Sequence, residues 1–105
     1  MENRPERAPL LHRTWPLFAD ELAAALEASG EDQLTDQVDR LRIVEVCGCG
    51  DDFLQSFYTA PKPAGAYGYG HRNVCLDPPW PGYLVVDVVH DNIVHVEVLD
   101  RSPLC

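Results

Sequence analysis

Four side chains in this chain are of the type that binds a soft metal ion: Cys47, Cys49, His71 and Cys75. Three thiolates and an imidazole make a Cys₃His donor set, which can close a tetrahedral zinc site. Cys47 and Cys49 project the same way from an extended backbone, and His71 and Cys75 can approach from a neighbouring loop and strand. The chain has no paired Cys-x-x-Cys knuckle, however. Zinc is therefore the alternative here, and buried or incidental thiols are the leading expectation. A Cys-Gly-Cys unit can also close a strained, oxidising disulfide. Reactive thiols need a lowered pKa, and Glu45, Asp51 and Asp52 beside this unit push the other way.

Acid–base chemistry has a second set of candidates in Asp87, His90, His95 and Glu97. Two of them change face with strand register, and no nucleophile is fixed beside them, so catalysis ranks below binding. Asp51-Asp52 is read as a turn former rather than a cation site. The chain contains neither a phosphate-cradling glycine loop nor a nucleophile elbow. For binding, the candidates are Tyr67 and Tyr69, separated by one glycine in a loop, and Trp80 in a proline-rich connector. Trp80 serves equally as a packed anchor of that connector.

The elements that must position these groups follow from periodicity. Residues 1–13 read as an irregular N-terminal tail whose one apolar pair, Leu10 and Leu11, can dock on the domain, and residues 14–105 as a single domain. Pro16 suits a first helical turn, and Phe18, Leu22, Ala25 and Leu26 have helical spacing up to a stop at Gly30. Leu34, Val38 and Leu41 predict a second helix over residues 31–40. The period then changes to that of strands over 42–49 and 53–59, with Gln55 and Phe57 on one face and Leu54, Ser56 and Tyr58 on the other. Residues 60–71 hold two prolines and three glycines and form a loop. A short strand covers 73–76.

Two valine-rich runs, 83–90 and 93–99, predict a hairpin turning at Asp91-Asn92. That register places Val85, Val89, Val94, Val96 and Val98 on one apolar face, and Val86 and Val88 with His90, His95 and Glu97 on the other. A slip of one residue would exchange the faces of one strand. Two N-terminal helices followed by four or five strands make an α+β fold, its helices packed on one face of an antiparallel sheet.

The 105 residues suit one domain, with 46% hydrophobic and 24% charged side chains. A net charge of −9 opposes phosphate backbones and anionic membranes, which excludes nucleic acid and membrane as expected partners. It favours a protein partner with a basic surface. The mixed-charge first residues resemble neither an export signal nor an anchor, so the cytoplasm and reduced thiols are expected. The leading functional expectation is a non-catalytic protein-binding or regulatory module.

Overall fold

The computed structural model describes residues 7–47 and 54–104. Its architecture is α+β: N-terminal helices pack on one face of a five-stranded antiparallel sheet. The chain runs α1 (Leu11–Thr14), α2 (Pro16–Ala28), α3 (Asp32–Thr35), a 3₁₀ turn (Val38–Arg40), β1 (Glu45–Cys47), β2 (Leu54–Tyr58), β3 (His71–Leu76), β4 (Tyr83–Val89) and β5 (Asn92–Leu99). The strand order is β1-β2-β5-β4-β3. Two sequential hairpin pairs are thus joined through the last strand. The turn between β1 and β2, with Cys49, lies outside the described residues.

Helix α2 forms as its sequence requires. Pro16 occupies the first turn, where a missing N–H costs nothing, and Phe18, Leu22, Ala25 and Leu26 are buried against the sheet. Gly30 ends it with φ +79, while the Gly30 and Glu31 N–H groups donate to the Glu27 and Leu26 carbonyls. The second expected helix is broken instead of continuous. Thr35, Asp36 and Asp39 are weak helix formers, and Gln37 is recruited elsewhere. Its Nε2 donates to the Asp91 carbonyl at 2.6 Å and its Oε1 accepts from the Ile93 N–H at 3.0 Å. Leu34 and Val38 are nevertheless both buried, as their spacing implies.

The leucine pair near the N-terminus is held against the domain. Leu11 is fully buried, its N–H donates to the Leu41 carbonyl at 2.8 Å, and Ile43 N–H donates to the Pro9 carbonyl at 2.8 Å. The leucine's apolar burial and the backbone bridge to 41–43 tie this segment down. At the other end, buried Gln55 holds the segment after β5. Its amide donates to the Arg101 and Ser102 carbonyls, and its Oε1 accepts from the Leu104 N–H.

The last hairpin corrects the expected register. Its two turn residues are His90 and Asp91, with φ of 49° and 67°, and Val89 pairs with Asn92. Two left-handed residues in succession match the twist of the flanking strands. A register shift at Asp87/Val88 leaves Val94 as the extra residue of β5, a bulge that lets both Ile93 and Val96 face inward. The buried face of β4 is Leu84, Val86 and Val88, not Val85 and Val89. The physical reason is Asp87: it shares a face with Val85 and Val89, and burying that face would bury its charge. On β2 the expected faces hold, with Gln55 and Phe57 inward. Among the described residues, no helix is long and apolar enough to cross a membrane.

Candidate functional site

The helices cover only one face of the sheet. Across the other runs a row of directly opposed residues, one from each strand: Glu45 on β1, Tyr58 on β2, His95 on β5, Asp87 on β4 and Asn73 on β3. Opposed residues on one face bring their Cβ atoms to about 5 Å, so register alone gathers these side chains. Antiparallel pairing with strict alternation is what puts them there. The buried neighbours Phe57, Val96, Val86 and Val74 fix the opposite face.

Asp87 is the centre of the row. His71 Nε2 donates to its Oδ1 at 2.8 Å and His95 Nδ1 to its Oδ2 at 2.9 Å. Asn73 Nδ2 also donates to Oδ1. A carboxylate only accepts, so each imidazole carries its proton on the nitrogen facing Asp87. His71 Nδ1 and His95 Nε2 are the ring nitrogens not engaged by Asp87. The side chains of Asp87 and His95 are 15% and 14% exposed and that of His71 27%, so the network is partly shielded yet reachable.

Aromatic rings frame it. The Tyr58 ring lies 4.5 Å from that of His95, and the Tyr67 ring 4.8 Å from that of His71. Tyr67 comes from the 60–70 loop, which folds over this face and enters β3 at Gly70. There φ is +86 and a Cβ would stand 2.5 Å from the His90 ring, so only glycine fits. The Tyr67 hydroxyl is buried and finds no hydrogen-bond partner among the described residues. Its pKa is pushed up to about 12, first by burial and then by the neighbouring Tyr58 and Asp87. Lys62 of the same loop places its ammonium 5.9 Å from the centre of the Tyr58 ring.

The residues singled out from sequence are distributed unequally. Asp87, His95, Tyr67 and His71 belong to this site. Tyr69 stands beside it, 93% exposed, with its ring 6.2 Å from that of His90. Trp80 does not belong: it packs toward Phe18 on the helix side and donates Nε1–H to the Leu99 carbonyl at 3.0 Å. Three of the four candidate zinc ligands fall on described strands. Cys47 lies on β1 and Cys75 on β3, the two outer strands, separated by four strand spacings or about 19 Å. His71 and Cys75 are four residues apart along one strand, about 13 Å, and Cys49 lies outside the described residues. Among the described residues, no three His, Cys, Asp or Glu side chains are placed to hold a metal ion.

Tyr58, Asn73 and Lys62 are contributors that sequence reasoning passed over. The signal for Asn73 was present in His71, Asn73 and Cys75 alternating with the aliphatic Val74 and Leu76. On the helix side, a separate hollow of about 380 Å³ lies between α2 and residues 77–79, lined in part by Asp20, Ala24, Ala28 and Pro78. Compared with protein-family models, with curated proteins and with solved structures, the chain shows no significant match.

Proposed function

We propose that this chain is a non-catalytic binding domain that recognises a protein partner through the open face of its sheet and the adjoining 60–70 loop. The observation that carries this reading is the Asp87-centred row. Rigid strands hold polar and aromatic groups in fixed positions on a face the helices leave uncovered, and Tyr69 projects beside them. Sites built on strands with their rotamers locked by hydrogen bonds suit recognition, and tyrosine offers large contact area with little entropy to lose. The net charge of −9 favours a basic partner surface.

The test is affinity capture with the purified domain, followed by calorimetric titration of the purified partner against variants. Tyr69→Ala and His95→Ala are expected to weaken binding by about tenfold or more while the domain stays folded. Leu17→Ala, an exposed position on α2, is expected to leave it unchanged. Binding that ignores every open-face variant and is lost in Leu17→Ala overturns the reading.

Acid–base catalysis is the second reading, supported by two imidazoles oriented by one carboxylate, each engaging it through a single ring nitrogen. It would assign the proton transfer to His95 Nε2 or His71 Nδ1. Turnover of a substrate that is lost in His95→Ala or His71→Ala, and changed in pH profile by Asp87→Asn, would raise it above the binding reading.

A further inference from the structure

We infer that the open sheet face accepts the cationic side chain of a lysine or arginine from a basic partner segment, seated over the Tyr58 ring, and that Lys62 holds this place in the free chain. The inference rests on the binding reading above and deepens it by naming the class of partner group and where it docks.

Tyr58 is in the second strand of the sheet, with Glu45 directly opposite on one side and His95 on the other. Glu97 lies diagonally across, opposite Ser56. An aromatic ring on a sheet face that also carries Glu45 and Glu97 attracts a cation twice, through the ring quadrupole and through charge. The carboxylate of Asp87, bonded to His95, adds to the negative potential along the same row.

The chain itself supplies the test cation. Lys62 is its one lysine, and its ammonium already stands over Tyr58 at 5.9 Å. Pro61 and Pro63 flank it and restrict the backbone on both sides, so the side chain is presented from a stiff support. The contact is exposed and weak, of the kind an incoming cation can displace. An incoming Lys or Arg and Lys62 cannot occupy one ring face together, so they compete. Removing Lys62 must then strengthen binding at this place, whereas removal of an ordinary contact residue would weaken it.

Loss of any positive charge from an acidic protein also raises attraction for cations in general. Arg13→Ala provides the charge-matched control, since Arg13 is exposed on α1, outside the open face. Isotope-labelled protein is titrated with tri-arginine and tri-lysine peptide amides and followed by amide chemical shifts. Wild type is expected to shift mainly at Tyr58, Lys62, His95 and Glu97. Lys62→Ala should tighten the peptide by about two- to fivefold beyond Arg13→Ala, and Tyr58→Leu should abolish the localised shifts while keeping the rest of the spectrum. Shifts centred on the helix-side acids Asp32, Asp36 and Asp39, or equal tightening in Lys62→Ala and Arg13→Ala, overturn the inference. Either result leaves the binding reading to its own test with Tyr69 and His95 variants, so the two fail separately.

Discussion

Asp87 serves three donors with one carboxylate, and the order of the open face depends on it. An amide at this position keeps the shape but loses the charge and accepts at only one end, so the imidazole facing its NH₂ must switch tautomer to stay bonded. Asp87→Asn is expected to cost about 1.5–3 kcal/mol in urea unfolding, the range for hydrogen bonds to charged groups, and to free the imidazole signals of His71 and His95 to respond independently to substitution. An unchanged midpoint would mean that the network contributes nothing to stability.

Tyr67 makes a second, pH-dependent prediction. Its folded pKa, about 12, lies above the ordinary value of 10, so the fold favours the neutral phenol. Its contribution is fully present below about pH 10 and is lost as pH rises through 12. One of the four tyrosines is therefore expected to gain phenolate absorbance late in an alkaline titration, and Tyr67→Phe should remove that late phase. A titration with the same late phase in Tyr67→Phe would assign it to another residue.

Among the elements, the β4–β5 hairpin carries the most consequence, because its register decides which residues share a face. Asp91, at φ 67°, should accept glycine with little change or a small gain in melting temperature. Asp91→Val should cost about 1–2 kcal/mol, as a β-branched side chain resists the left-handed region. Equal tolerance of both would show that the turn rearranges. This hairpin also shows where sequence reading succeeded and failed. Two valine runs around a turn were enough to predict the hairpin, since valine favours strands and Asp-Asn favours turns. Its register was not, because valine appears at both odd and even positions and the bulge at Val94 breaks the period of two. Asp87 was the available clue: a charged residue flanked two positions away by Val85 and Val89 marks those three as the solvent side. The helix α2 was legible from Phe18, Leu22 and Leu26 down to its glycine stop. Asp87, His95 and His71 were each legible as candidates, but their meeting was not, because it joins three strands whose order no local pattern encodes.

At the scale of the whole molecule, side chains from distant parts of the chain close the two layers. Arg101, just past β5, pairs with Glu21 of α2 at 2.7 Å and lies over the rings of Phe18 and Trp80 at 5.7 and 5.5 Å. Its planar guanidinium can do both at once, which an ammonium could not. Arg72 of β3 similarly reaches Glu31, holding that carboxyl below its ordinary pKa through the hydrogen bond. Both contacts draw cations onto the helix-bearing side of the molecule, so the negative charge of the open face is left for other partners.

The position of β5 has a consequence for how the chain is made. Because β5 sits between β2 and β4, the strands translated before it form only two disconnected pairs, β1–β2 and β3–β4. An isolated two-stranded pair is marginal in water. A ribosome releasing this chain from its N-terminal end would therefore expose most of the apolar face until residues 92–99 emerge, and only then could one strand join both halves in a single cooperative step. Folding is thus coupled to the completion of this last strand, and chains interrupted before it would offer sticky strand edges to whatever chaperones or proteases meet them first.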